Sequence, residues 1–111
     1  MKKIALMGIM AGVFFAGCAQ QTQPKNLDTF AQCLTAKGVI MYGSATCGHC
    51  LNQKSLFGES FQYVTYVECT KEPQRCSNLQ GVPTREISSG VYLEGEQSLS
   101  TLASKTNCTL P

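Results

Sequence analysis

Two cysteines, Cys47 and Cys50, stand three residues apart in "SATCGHCLNQ", with Gly48 and the only histidine of the chain, His49, between them. Cysteines at i and i+3 on the first turn of a helix are close enough to join, and close enough to exchange a disulfide with another molecule. A helix start presents unpaired N–H groups and a partial positive charge, and both favour a thiolate. Cys47, at the exposed end, is therefore the expected nucleophile. Cys50, one turn further in, is the expected resolving thiol. His49 can stabilise the thiolate further, which favours the reduced form and makes the disulfide more oxidising. Two other uses of the pair compete. A purely structural bridge across so short a loop adds little chain-entropy stabilisation. Zinc wants four ligands, commonly two such pairs or a pair plus two histidines. Here a single histidine sits inside the pair, and Cys69 and Cys76 do not share its spacing. No metal or other cofactor is expected.

The compartment decides how the other cysteines read. The chain opens "MKKIALMGIMAGVFFAGCAQQ": Lys2 and Lys3, an apolar run from Ile4 to Ala16, then small residues before Cys18. That is the order of a secretory signal peptide, and the run is too short for a comfortable membrane span. Residues 1–17 are accordingly assigned to a signal peptide. "FAGC" at 15–18 resembles the lipobox of bacterial lipoproteins, which implies acylation of Cys18 and anchoring in a lipid bilayer. Several acyl chains hold where one would be marginal. Ala19 after the cysteine resembles an outer-membrane address, so the expected location is the periplasmic face of that membrane. Residues 18–26, polar and containing Pro24, read as a tether.

Cys33, Cys47, Cys50, Cys69, Cys76 and Cys108 then remain, an even set. In an exported domain of this size such a set reads as a disulfide framework with room for redox chemistry. Cleavage removes two of nine basic residues and leaves seven against seven acids. Near-neutral charge and the lack of a basic patch argue against nucleic acid.

Residues 27–111 suffice for one domain with a modest core. Leu27, Phe30, Ala31 and Leu34 have helical spacing between a capping Asn26 and Gly38. "VIMYG" (39–43) reads as a buried strand. A helix should run from about Cys47 to Gly58. "FQYVTYVEC" (61–69) alternates and reads as a strand. Pro73 starts a short helix ending before Gly81. "TREISSGVYLEG" (84–95) reads as a hairpin. Ser98 caps a last helix carrying Leu99, Leu102 and Ala103. The order α-β-α-β-α-β-β-α predicts an α/β domain with a mixed four-stranded sheet and helices on both faces. Strands joined through helices should be parallel, and the final hairpin antiparallel.

"GVPT" (81–84), just before a strand in the second half, adds to the strand–CxxC–helix unit upstream. Together they resemble the thioredoxin superfamily. The resemblance implies a thioredoxin-like fold and a cis Pro83 packed beside Cys47 and Cys50. It also implies that the backbone of Val82, and the neighbouring Thr84, receive a substrate segment. "CGHC" is the active-site tetrapeptide of protein disulfide isomerases. The frame "MYGSATCGHCLNQKSLFG…YVEC…C…GVPTREI" resembles the thioredoxin-like domain of bacterial vitamin K epoxide reductase homologues. That likeness implies a Cys69–Cys76 disulfide, and a membrane quinone-linked redox partner. Cys33 and Cys108 are then left, and a bridge between them would close most of the domain. The chain departs from those groups at Gly48, where the homologues usually have proline, and at Thr46, where an aromatic is common. Their membrane-embedded reductase domain is not within this sequence. "VIMYG" also lacks the buried acid that thioredoxin has near the position of Met41. Glu68 is the nearest substitute, although a strand-end carboxylate is ordinarily solvated.

The reading is an extracytoplasmic thiol–disulfide oxidoreductase acting on envelope protein thiols and disulfides, by dithiol oxidation or isomerisation. The alternatives are a non-catalytic adaptor of the same fold, or a metal- or haem-assembly chaperone.

Overall fold

The computed structural model describes residues 26–111. The signal segment 1–17, Cys18 and all but the last residue of the tether lie outside the described residues. The elements are α1 (Asp28–Ala36), β1 (Ile40–Gly43), α2 (Gly48–Ser55), β2 (Thr65–Glu68), β3 (Thr84–Ser88), β4 (Val91–Glu94) and α3 (Leu99–Thr106). Short 3₁₀ helices occupy Gly58–Tyr63 and Pro73–Arg75.

Local chemistry explains most boundaries. The Asn26 side chain accepts the Asp28 N–H at 2.7 Å, which ties the entry of α1. Gly38 ends that helix with φ 81°, a left-handed conformation that costs glycine little. Ser98 caps α3 by accepting the Thr101 N–H at 3.1 Å. Asn107 closes it at φ 61°.

The four strands lie in the order β2-β1-β3-β4, with β1 parallel to β2 and antiparallel to β3. β3 and β4 form the antiparallel hairpin. The expected mixed sheet is present, and the architecture is thioredoxin-like. One expectation fails: β3 runs against β1 and β2, although a short helix was expected to carry the chain into a parallel strand. The segment from 69 to 83 forms a single 3₁₀ turn and makes no helical crossover. It stays at the end of the sheet where β1 and β2 finish, so β3 must start there and run back.

The strand expected over 61–69 is also shorter. Residues 61–63 belong to the 3₁₀ helix, where Phe61 makes edge contacts with Phe57 and Tyr66 at 6.1 and 5.6 Å between ring centres. Aromatic packing outweighs the alternating pattern there.

Strand alternation divides the buried residues. Met41, Gly43, Tyr66 and Arg85 face α1, α2 and α3, and the main core forms there from Phe30, Leu34, Met41, Cys50, Phe57 and Leu102. Phe30 stacks on Phe57 at 6.1 Å. Truncating either ring to alanine should cost about 3–5 kcal/mol. Tyr42, Val67 and Thr84 are buried on the opposite face, beside the loop after β2. Helices thus stand on both faces, but three α-helices cover one and a single short turn lies over the other.

Arg85 is the exception in the core. It is 2% exposed, its guanidinium lies 5.6 Å from the Phe57 ring, and neither terminal nitrogen has a partner among the described residues. Burial lowers its pKa to about 10, which leaves it charged at neutral pH.

Candidate active site

Cys47 is the N-cap of α2, with extended backbone at φ −99° and ψ 117°. Its sulfur occupies the place usually taken by a serine or aspartate oxygen, accepting the Cys50 N–H at 3.2 Å. As a thiol, it donates to the Val82 carbonyl at 3.7 Å. Cys47 is half-buried and Cys50 fully buried, and both are free thiols. Burial pushes the Cys50 thiol up to about 11, and its hydrogen bond with Cys47 adds to this.

The Val82–Pro83 peptide is cis. It reaches Cys47 because β3 starts at the active end of the sheet. Gly95 N–H donates to the Pro83 carbonyl at 2.8 Å and holds the segment against the end of β4. Gln80, Gly81, Val82, Pro83, Thr84, Glu94 and Gly95 line an open groove of about 230 Å³. The Thr84 side chain turns inward: it is buried and donates to the Gly81 carbonyl at 2.6 Å. His49 is exposed on the first turn of α2, with Nδ1 3.3 Å from the Glu96 carboxylate.

Close approach explains the glycine that ends β1. A Cβ on Gly43 would meet Tyr66 Cε2 at 3.0 Å, the Tyr66 hydroxyl at 3.1 Å and Cys50 Sγ at 3.3 Å. Any side chain there would displace the ring or the sulfur. Tyr66 donates its hydroxyl to Glu68 at 2.7 Å, and burial and that carboxylate raise its pKa. Glu68 also accepts from the Thr70 hydroxyl at 2.7 Å and from the Ala45 N–H at 3.1 Å. The bonds from Thr70, then Tyr66, hold its pKa down at about 2. Glu68 is thus a fixed anion that ties the end of β2 to the loop preceding Cys47, and too acidic to serve as a base at neutral pH.

The structure joins Cys69 to Cys76 and Cys33 to Cys108, each with Cα atoms 5.8 Å apart. Cys69 N–H donates to the Gly43 carbonyl at 2.8 Å, so the short bridge abuts the active loop. Cys33 and Cys108 meet at the other end of the sheet, where α1 finishes and the chain leaves α3. The structure therefore gathers Cys47, Cys50, Val82 and Pro83, places His49 at the rim, and turns the Thr84 side chain away. Sequence reasoning missed Gly43, Tyr66 and Glu96. Gly43 closing an apolar strand four residues before Cys47 was the available signal; the other two depend on register and on loop placement.

A thioredoxin-like sheet with a free dithiol at a helix start defines a class of protein able to exchange disulfides. No family model matches the chain. Among curated proteins it is similar to the thiol-disulfide oxidoreductase LTO1 of Arabidopsis thaliana, with 38% identity over 91 residues. The match takes in 72% of this chain and 24% of that protein, so the chain spans about a quarter of the length of the curated relative it matches.

Proposed function

We propose that this chain is a thiol–disulfide oxidoreductase of the bacterial envelope, acting by dithiol oxidation or disulfide isomerisation through Cys47 and Cys50. The observation that carries this reading is the Cys47 sulfur 3.7 Å from the Val82 carbonyl, with the buried Cys50 directly behind it. A substrate segment lying along Val82 would bring its sulfur to Cys47. The Cys47 thiolate attacks a substrate disulfide, one substrate thiolate leaves, and a mixed disulfide forms. The Cys50 thiolate then attacks Cys47 Sγ and releases the second substrate thiol. The reverse sequence oxidises a substrate dithiol.

Part of the barrier to ionising Cys50 comes from Cys47, through their hydrogen bond and the charge of the Cys47 sulfur. Once Cys47 is bound to substrate it carries no charge, so the second step is eased when it is needed. His49 stands exposed at the rim of the pair, with its ring beside the Glu96 carboxylate. No cofactor enters these steps. Acylated Cys18 would hold the domain at the periplasmic face of the outer membrane, facing envelope protein thiols and disulfides. A quinone-linked membrane protein of the vitamin K epoxide reductase type would recycle it.

The test is insulin reduction and dithiol-peptide oxidation by soluble protein beginning at residue 20, with a measured reduction potential for the pair. Turnover that vanishes in Cys47→Ala supports the proposal. A Cys47–Cys50 disulfide that resists physiological dithiols would sink it and favour a non-catalytic adaptor.

A further inference from the structure

Resolution asks a buried thiol to ionise. Cys50 is 0% exposed, and β1, Ile40–Gly43, brings no carboxylate beside it. What closes on the Cys50 sulfur is Tyr66: ring and sulfur converge on the point a Gly43 Cβ would occupy, at 3.0 and 3.3 Å. The hydroxyl bond to Glu68 fixes that ring. Over it lies the ammonium of Lys54, 4.0 Å from the ring centre and 5.5 Å from the centre of Phe61. Lys54 follows Cys50 by four residues in α2, so the two side chains share one helix face.

We infer that Lys54, clamped over the Tyr66 ring, is the counter-charge of the resolving Cys50 thiolate, with Tyr66 as its positioning residue. The inference rests on the redox reading above. The π face attracts this half-buried ammonium, and among the described residues no carboxylate forms an ion pair with it. A hydrogen bond from the Ser44 backbone favours the Cys50 thiolate, and the charge of Lys54 acts in the same direction to a smaller extent. Glu68 stays bonded to Tyr66, Thr70 and Ala45, and so leaves the ammonium unpaired with it.

The two thiols can be timed separately with dithiobis(nitrobenzoate). In the first phase the Cys47 thiolate attacks the reagent disulfide, one thionitrobenzoate leaves, and Cys47 is joined to the other. In the second phase Cys50 loses its proton to solvent and attacks Cys47 Sγ. The Cys47–Cys50 bond forms, the second thionitrobenzoate leaves, and two electrons have passed from protein to reagent. Lys54→Met should slow the second phase about three- to tenfold at neutral pH and move its pH profile upward. The first phase should be unchanged. Lys54→Arg keeps the charge and should restore the wild-type profile. Tyr66→Leu removes the face that holds the ammonium and should behave as Lys54→Met. If Tyr66→Leu does not fold, the two Lys54 variants decide alone. An unaltered second phase and pH profile in Lys54→Met overturns the inference and leaves the redox reading standing. Wild-type protein that releases a single thionitrobenzoate overturns both.

Discussion

The two ends of the sheet treat sulfur in opposite ways. At one end Cys33 and Cys108 are joined, with Cys108 buried, and the Lys37 ammonium donates to the Thr106 carbonyl at 2.6 Å beside them. At the other, Cys47 and Cys50 are free and unequal, one half-buried and one sealed. Cys69–Cys76 stands between these cases: it is bonded, yet it lies at the active end against Gly43. Disulfide exchange at Cys47, as proposed, requires that the structural bonds be kept from that nucleophile. Placing the long bridge at the far end does so by distance. Cys33 and Cys108 are also one half-buried and one buried, so it is position, at a helix start beside Val82, that separates the free pair from the long bridge.

Substitutions can break this contrast, and the dithiol should give the largest effect. Cys47→Ala should lower turnover more than about a hundredfold, because the nucleophile itself is removed. Cys50→Ala should instead accumulate mixed disulfides with substrate proteins, visible on non-reducing gels, since attack proceeds and resolution does not. Equal trapping by both variants would erase the inequality drawn here.

The far end should respond through stability alone. Cys33→Ser with Cys108→Ser releases a loop of 75 residues' separation and should cost about 4–5 kcal/mol in the chain-entropy account. Urea unfolding measures that loss, and activity per folded molecule should hold. Cys69→Ser with Cys76→Ser releases a separation of 7 and should cost about 2–3 kcal/mol. Here activity should fall too, because Cys69 and Glu68 hold the loop before Cys47. Activity loss from the far-end variant, and none from this one, would reverse the assignment of the two ends.

The smallest effect is acid sensitivity at the active end. Glu68 has its pKa lowered to about 2, so its contribution is complete above the unfolded carboxylate value of about 4.3. It is lost as pH falls through about 2. Wild-type stability should therefore decline across that window, and Glu68→Gln should flatten the part due to this residue.

Much of the active end was legible from the chain because its signals are local. A CxxC at a helix start, a valine–proline before a strand and a serine cap each act within a few residues. The direction of β3 was not legible, since it depends on which end of the sheet the 69–83 loop occupies. Tyr66 reaches Cys50 only through the register that sets Gly43 opposite Glu68 and Met41 opposite Tyr66. The 3₁₀ helix at 58–63 arises from Phe57, Phe61 and Tyr66 meeting in space, which the alternation of "FQYVTYVEC" conceals. Nothing in "TREIS" marks Arg85 as the buried member.

The reach of the Cys33–Cys108 bond also orders events in time. Cys69 and Cys76 are near neighbours along the chain and can find one another before any sheet exists. Cys33 and Cys108 meet only when α1, the sheet and α3 have all docked. The long bond is therefore a mark of completed assembly in a chain whose two free thiols could otherwise pair with the wrong sulfur.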